Sequence, residues 1–298
     1  MTTNQAKYVP LPMRGLIAIA GDEARPFLQG LISNDVEKVS PERAIYAALL
    51  SPQGKFLHDF IIVALGQTLL LDCEKARVAD LGRRLAAYKL RAKITLADAT
   101  DDYLVAALIG PSSITPLGLP LEAGAARPLG DGMVYCDPRN PALGARALLP
   151  VGGGFKPLEA AGLTPAPFDV YERLRLSLGI PDGSRDMAVD KATLLESNFE
   201  ALNGVDFSKG CYVGQELTAR TKYRGLVKRR LMRVRVEGPM PPPGTTLLQN
   251  GKEAGEMKSG FGTIGLALIR LDRLEAEPEA PLLADGVRVQ PLADGEAP

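Results

Sequence analysis

The segment FSKGCYVGQELTAR, residues 207–220, contains a thiol that could act as a nucleophile or a metal ligand. Its Cys211 is one of only three cysteines in the chain and follows Lys209 and Gly210. Cationic neighbours and helix N-termini lower the pKa of a thiol and so favour the reactive thiolate. If a helix begins near Gly214, the thiol lies close to the positive end of that helix. The residues also allow a buried cysteine in a tight turn, because cysteine is often buried.

The chain has a single histidine, His58, in the stretch GKFLHDF. Histidine is the side chain whose ordinary pKa lies closest to neutral pH, so it is a candidate acid or base. The next residue is Asp59. Side chains alternate along a strand, so we expect the two to lie on opposite faces and not to act as a dyad. A histidine without a chemical role is the favoured interpretation of these residues alone.

Charge and composition exclude several classes of function. Lys plus Arg and Asp plus Glu both total 35, so no net charge attracts the chain to nucleic acid or to an acidic membrane. No long uncharged apolar run and no secretory signal pattern occur, which predicts a cytoplasmic protein without a membrane partner. The cysteines at 73, 136 and 211 lack C-x-x-C spacing, so we expect neither a disulfide framework nor a stably bound metal.

The pattern along the 298 residues predicts an α+β protein with an all-β end. Apolar runs between turn residues predict strands at 44–50, 56–65, 68–73 and 103–109. Helical spacing predicts helices at 74–94 and in the segment 168–182, where Gly179 ends the helix. Asn-Gly and Asp-Gly pairs between short strands after residue 227 predict a small antiparallel barrel. We expect three parts: an α+β sub-domain at 1–110, a second one carrying the cysteine motif at 111–226, and the barrel at 227–298.

The eight residues KGCYVGQE, 209–216, resemble the signature of the YgfZ-type folate-binding proteins. These relatives of the glycine-cleavage T-protein, an aminomethyltransferase, assist the maturation of iron–sulfur proteins. The resemblance implies ferredoxin-like α/β sub-domains in a ring around a central folate pocket, followed by an antiparallel β-barrel. Four more segments carry the same resemblance: GDEARPFLQGLISNDV, LLSPQGKFLHDF, RLSLGIPDGSRDM and GLALIR.

The resemblance implies a tetrahydrofolate-binding factor that helps to assemble or repair iron–sulfur clusters through a reactive cysteine. Cys211 is then the active thiol, acting as a nucleophile or as a transient iron ligand, and Lys209 favours its thiolate. The implied partners are iron–sulfur client enzymes and other assembly factors, and we expect a monomer. The candidate ligand-binding residues are Gly210, Tyr212, Gly214, Gln215, Glu216, His58, Asp59 and Glu196.

One departure from the T-protein bears on the alternative function, a folate-dependent aminomethyltransferase or other one-carbon transferase. The T-protein carries a Gly-Gly-x-x-Asp-Asp segment that includes its catalytic aspartate. The matching residues here run from Gly54 to Asp59, and His58 replaces the first acid. An accessory factor is therefore favoured over a transferase, in which Asp59 would be the acid or base.

Overall fold

Apolar segments between tight turns form three sheets in the computed structural model, which describes residues 6–225 and 227–293. Parts of the predicted sub-domains, at 1–5, 226 and 294–298, lie outside the described residues. The strands in chain order are β1 (Lys7–Pro10), β2 (Arg14–Ala20), β3 (Ile45–Leu50), β4 (Phe56–Leu65), β5 (Thr68–Glu74), β6 (Thr95–Asp98), β7 (Tyr103–Ile109), β8 (Ala126–Leu129), β9 (Gly132–Cys136), β10 (Gly144–Pro150), β11 (Thr164–Pro165), β12 (Arg229–Glu237), β13 (Thr246–Gln249), β14 (Lys252–Phe261), β15 (Ile264–Arg270), β16 (Leu282–Ala284) and β17 (Val287–Pro291).

The helices are short, and one of them is shorter than its sequence pattern predicts. The helix predicted over 74–94 ends at residue 89, because Leu90 adopts a positive φ of 41°. The helix predicted in the segment 168–182 spans Phe168–Ser177 and stops before Gly179, which takes a φ of 70° and ends it as predicted. The helices are α1 (Ala24–Gln29), α2 (Val78–Lys89), α3 (Lys156–Ala160), α4 (Phe168–Ser177), α5 (Gly183–Asp186), α6 (Gln215–Arg224) and α7 (Leu271–Ala276). None of the helices in the described part of the chain is long and apolar enough to cross a membrane.

The first sheet has the strand order β3-β4-β5-β2-β6, with every pair antiparallel. Both of its faces are covered, and so its central strands β4 and β5 are buried along almost their whole length. On β4, Phe60 and Ile62 pack in the cluster that includes α2. Ile61 and Val63 point the other way, into the core shared with the second sheet. The same alternation decides which side of the sheet each site candidate on β4 occupies.

The second sheet has the order β11-β1-β7-β10-β9-β8, and only the pair β1 and β11 is parallel. The chain therefore enters this sheet at β1, leaves it to build the first sheet, and returns at β7. Two strands from residues 1–110 thus belong to the second sheet. The division into parts at 1–110, 111–226 and 227–298 stays a prediction.

A buried ion network joins the two sheets at Asp72 on β5, whose side chain is fully buried. One carboxylate oxygen accepts a hydrogen bond from Arg14 Nε at 2.7 Å. The other accepts bonds from Arg146 Nη1 at 2.5 Å and from Tyr135 Oη at 3.0 Å, both on the second sheet. Burial alone would raise the pKa of Asp72, but Arg14 and Arg146 lower it to about 2. The carboxylate is therefore ionised and links the sheets electrostatically.

The six C-terminal strands close into a barrel in the order β12-β15-β14-β13-β16-β17. A buried ion cluster fastens this barrel to the body. Arg175 on α4 donates to Glu172 at 2.6 Å, to Asp186 at 2.9 Å and to Ser259 of β14 at 2.7 Å. Both α4 and Asp186 belong to the segment around RLSLGIPDGSRDM, so that segment holds the barrel in position. The predicted fold class, an α+β body with a C-terminal antiparallel barrel, is confirmed.

Candidate functional site

Cys211 is the exposed cysteine of the three in the chain. Cys73 and Cys136 are buried, and burial raises the pKa of each of these thiols to about 12. Helix α6 begins at residue 215 with Gly214 as its N-cap, so the condition considered for the thiol is met. The accessible thiol therefore lies in a loop that leads directly into a helix N-terminus.

The loop is anchored on one side to the end of helix α1. Lys209 Nζ donates to the carbonyl oxygens of Gln29 at 2.7 Å and Ile32 at 2.6 Å. The backbone N–H of Val213 donates to the carbonyl of Gly30 at 3.1 Å. Burial lowers the pKa of Lys209 to about 8. Its ammonium group is directed at carbonyl groups that helix α1 leaves unpaired, and its predicted effect on the Cys211 thiolate stays a prediction.

On the other side, two glycines pack the loop against the turn between β3 and β4. Gly214 has a φ of 80°, and a Cβ added there would lie 2.3 Å from the carbonyl oxygen of Ser51. Gly54 has a φ of 79°, and its Cβ would lie 2.7 Å from the Gly214 oxygen and 2.6 Å from Leu217 Cβ. Only glycine permits both the backbone angle and the close approach. The segments KGCYVGQE and LLSPQGKFLHDF are thus in direct contact.

Replacing Gly214 by alanine is expected to lower the free energy of unfolding by about 3 kcal/mol, from left-handed strain plus a backbone clash. Gly210 is the matched control, because it has a φ of 92° but nothing within 4 Å of an added Cβ. Gly210→Ala should lower the free energy of unfolding by about 1 kcal/mol, from strain alone. Urea unfolding of the two variants measures the difference. Equal losses would show that the contact with the β3–β4 turn contributes nothing.

The remaining residues of the motif shape the loop or face solvent. Tyr212 is half-buried under Lys209, with Nζ 4.9 Å from the ring centroid, and burial raises its pKa to about 12. Gln215 accepts a hydrogen bond from the Tyr212 N–H at 3.2 Å through its side-chain oxygen. Glu216 is 87% exposed and lies 3.8 Å from Arg220, the i,i+4 partner that helical spacing predicts. Ligand binding by these residues stays a prediction.

His58 and Asp59 lie on opposite faces of β4, as strand alternation predicts. His58 is buried under α2, where its Nε2 lies 2.9 Å from Asp80 Oδ2, and burial lowers its pKa to about 4. The neutral ring must therefore donate from Nε2 to the Asp80 carboxylate. Asp59 is 5% exposed on the inner face and accepts a hydrogen bond from Tyr46 Oη at 2.9 Å. Burial raises the pKa of Asp59.

Glu196 lies where the body meets the barrel. Its carboxylate contacts Arg229 Nε at 3.1 Å and accepts a bond from the Thr193 hydroxyl at 3.0 Å. Its backbone carbonyl accepts the N–H of Leu231 at 2.8 Å. These contacts tie the turn before the motif to strand β12. The predicted role of Glu196 in pterin binding stays a prediction.

A cavity of about 430 Å³ opens beside the motif, within the usual size range of small-molecule sites. Sequence reasoning missed its residues, because they come from segments far apart in the chain. Tyr46 joins this cavity to the core, since its hydroxyl binds Asp59 and its ring stacks on Phe199 at 4.8 Å. Polar, aromatic and cationic groups line the walls, among them Asn34, Lys38, Arg43, Tyr46, Asn203, Phe207 and Ser208.

For one of these wall residues, Asn34, the sequence contained a signal, because it is the polar residue that ends an apolar segment. Asn34 closes the run GLISN, and its side-chain amide donates to the carbonyls of Tyr46 at 2.7 Å and Asn203 at 2.8 Å. It thereby holds β3 next to the chain segment that precedes the motif. Within residues 6–225 and 227–293, no cluster of three or more His, Cys, Asp or Glu side chains could hold a metal ion.

Comparison with known proteins connects this geometry to proteins of known function. The GCVT N-terminal domain matches residues 4–118, and the C-terminal β-barrel domain of CAF17 matches residues 228–297. The chain is 35% identical over 285 residues to the mitochondrial iron–sulfur cluster assembly factor IBA57 of Mus musculus, covering 88% of this chain and 77% of the relative. IBA57 of Homo sapiens is 34% identical over 281 residues, with the same two coverages.

The fold also matches a solved structure. The glycine cleavage system aminomethyltransferase T from Bartonella henselae superposes with a TM-score of 0.80 at 18% identity, covering 97% of this chain and 85% of that one. At this identity the likeness shows the fold alone. It confirms the predicted T-protein-like architecture, while the finer assignment to YgfZ-type proteins stays a prediction.

The expected cytoplasmic location is contradicted by these relatives. The IBA57 proteins of Mus musculus, Homo sapiens and Neurospora crassa are mitochondrial. The expectation depended on the lack of a secretory signal, and that pattern reports only on export by the secretory route. The relatives are similar over most of this chain and over more than two thirds of their own length, and the chain belongs to the family of the iron–sulfur cluster assembly factor IBA57.

Proposed function

We propose that this protein helps to assemble or repair iron–sulfur clusters in client enzymes through the thiol of Cys211. The observation that carries the proposal is an exposed cysteine on a loop fixed at both ends. Lys209 fastens that loop to α1, and Gly214 packs it on the turn at Gly54. A cysteine whose only role is to pack in a turn would need neither these anchoring contacts nor an exposed side chain. The names of the IBA57 relatives support the assembly role.

The chemistry available to Cys211 follows from its sulfur. A thiolate is a soft ligand for iron and also a nucleophile toward sulfur compounds. Iron–sulfur clusters are held by several ligands, so one cysteine has to share a cluster with another protein. The partners we propose are therefore client enzymes and other assembly factors. We propose that the protein acts as a monomer, because one copy of the chain contains the whole cysteine loop. Replacing Cys211 by serine in cells that lack the endogenous factor tests the role through client-enzyme activity.

We propose further that the cavity beside the motif binds tetrahydrofolate. Its residues fit the chemistry of this ligand, because the half-buried Phe207 offers aromatic surface for a pterin ring. Asn203 brings amide groups that can pair with the ring edge, while Lys38 and Arg43 can bind the carboxylates of the glutamate tail. Lys38 is already paired with Asp206 at 2.5 Å, which leaves Arg43 as the main cation for that tail. The cavity reaches Ser208, three residues before Cys211 in the chain.

Titration with tetrahydrofolate tests this site. The intact protein should bind it saturably below about 1 mM, and Arg43→Ala should weaken binding about tenfold by removing the tail contact. Arg91→Ala, an exposed arginine at the end of α2, is the matched control and should bind as wild type does. Tetrahydropterin without the glutamate tail should bind the wild type and Arg43→Ala equally. Absence of saturable tetrahydrofolate binding would remove the folate proposal and leave the thiol role standing.

The alternative, folate-dependent aminomethyl transfer, is disfavoured by the position of Asp59. Its carboxylate lies behind Tyr46 and accepts the hydroxyl of that residue at 2.9 Å. A general base has to reach the proton that it removes, directly or through a water molecule. Tyr46 stands between Asp59 and the cavity, so we assign Asp59 to the support of the cavity wall.

A further inference from the structure

The charge of this chain is unevenly distributed along the segment that follows the cysteine motif. The whole chain has equal numbers of acidic and basic residues. Residues 217–236 nevertheless contain eight Arg or Lys and no Asp or Glu. This stretch comprises most of helix α6 and most of strand β12. A strongly positive local field therefore begins a few residues after Cys211.

Part of this charge is neutralised by the fold, and part is left on the surface. Lys222 pairs with Glu200, and Arg229 pairs with Glu196. Three other exposed cations lie in the same stretch: Arg224, Lys228 and Arg230. Among the residues that the structure describes, none of these three side chains forms an ion pair with Asp or Glu. Together with Arg220, which has only a distant exposed partner, they form what we term the basic face.

An exposed aromatic side chain lies among these cations. Tyr223 on α6 is 77% exposed, the largest exposure of any aromatic residue on the described surface. Helix α6 also carries Arg220 and Arg224, three residues before and one residue after it. Tyrosine and arginine are the residue types enriched at the energetic centres of protein interfaces. A solvated charged surface does not need a large aromatic group at this position.

We propose that the basic face, with Tyr223 between Arg220 and Arg224 along α6, docks an acidic surface of the protein that exchanges cluster material at Cys211. The inference rests on the proposed function, which requires such a partner. Helix α6 is about 15 Å long, and a standard interface buries about 800 Å² on each side, enough to cover both the helix and the cysteine loop. Complementary charge would then steer the partner onto the thiol and fix its orientation.

The neighbouring surface favours a protein over a nucleic acid. A groove of about 530 Å³ adjoins the basic face between α6, β12 and the end of α4. Its lining is mixed, with apolar surface from Leu178, Leu202 and Met232 beside polar and charged residues such as Asn198, Glu200 and Arg230. Apolar side chains of a partner protein can fill such a groove, whereas a phosphate backbone cannot. The chain also lacks the high overall positive charge typical of nucleic-acid-binding domains, since its pI is about 6.6.

The test compares two variants with the same change in charge. Arg220→Glu, Arg224→Glu and Arg230→Glu together reverse the basic face, while Lys75→Glu, Arg91→Glu and Lys93→Glu reverse three exposed cations elsewhere. The probe is poly-L-glutamate, titrated into the full chain by fluorescence anisotropy at a salt concentration of about 0.15 M. Reversal of the basic face should weaken binding at least about tenfold, and the control should stay within about twofold of wild type. Thermal unfolding checks that both variants fold.

A second arm measures client-enzyme activity in cells that lack the endogenous factor. The basic-face variant should lose activity, and the control variant should retain it. Equal behaviour of the two variants in either arm overturns the inference. Tighter binding of single-stranded RNA or of phosphatidylglycerol vesicles than of poly-L-glutamate also overturns it. Full rescue by Cys211→Ser would overturn the proposed function instead, because poly-L-glutamate binding does not depend on the thiol.

Discussion

A Cys211→Ser variant is expected to accumulate as folded protein and yet to lose nearly all support of iron–sulfur client enzymes. Serine matches cysteine in shape, and Cys211 is exposed, so the exchange removes no packed side chain. The hydroxyl remains protonated near neutral pH and is a poor ligand for iron, whereas a thiolate is a good one. The loss should therefore be chemical and not a loss of stability. Client-enzyme activity in cells lacking the endogenous factor is the readout.

A neighbouring residue supplies the matched control. Ser208 is also exposed in the same loop but lines the proposed folate cavity, so Ser208→Ala measures the effect of losing the serine alone and is compared with the double variant below. Cys211→Ser combined with Ser208→Cys moves the thiol three positions along the loop. This double variant should fail, because the anchoring by Lys209 and Gly214 holds position 211 and not position 208 in the exposed bend. Rescue by the double variant would mean that any thiol in this region suffices.

Asp72→Asn is expected to lower the free energy of unfolding by about 3–5 kcal/mol, the usual loss when one partner of a buried ion pair is removed. Arg14 and Arg146 both depend on this carboxylate, and the second of these bonds joins the two sheets. Asparagine preserves the shape but removes the negative charge that Arg14 and Arg146 share, and leaves Arg146 with only the longer contact to Asp137 at 3.7 Å. Asp131→Asn, at an exposed aspartate, should change the stability by less than about 0.5 kcal/mol. Urea unfolding measures both variants.

Asp72 also makes the free energy of unfolding depend on pH in a predictable direction. The pKa of Asp72 is about 2 in the folded protein, below its ordinary value of 3.8. A lowered folded pKa contributes stability that is complete above the ordinary pKa and is lost as the pH falls toward the folded one. The stability gap between wild type and Asp72→Asn should therefore shrink by about 2 kcal/mol between pH 4 and pH 2. A gap that stays constant over this window would contradict the ionised state of Asp72.

Features that depend on neighbouring residues in the sequence could be predicted. Alternating and apolar runs between turn residues located β4, β5 and β7 closely, and the Asn-Gly and Asp-Gly pairs indicated the barrel. Strand alternation separated His58 from Asp59, and the possibility that a helix begins after Cys211 was visible in the sequence GQELTAR. Each of these inferences uses residues within a few positions of one another.

Features that depend on distant contacts could not be predicted. Gly54 packs against Gly214, which lies far along the chain, and no local sequence pattern predicts that these two glycine turns contact each other. Lys209 was expected to act on the nearby thiol, but its side chain reaches back to carbonyls at the end of α1. Strand β1 joins the second sheet for the same kind of reason, since its pairing with β7 is set by tertiary packing.

The most direct test of the central claim is client-enzyme activity per molecule of soluble protein, compared between wild type and Cys211→Ser in cells that lack the endogenous factor. Immunoblotting of the soluble fraction gives the amount of each variant, which separates chemical loss from poor folding. The proposed role predicts equal amounts of the two proteins and less than about a tenth of the wild-type activity for the serine variant. Equal activity per molecule would contradict it.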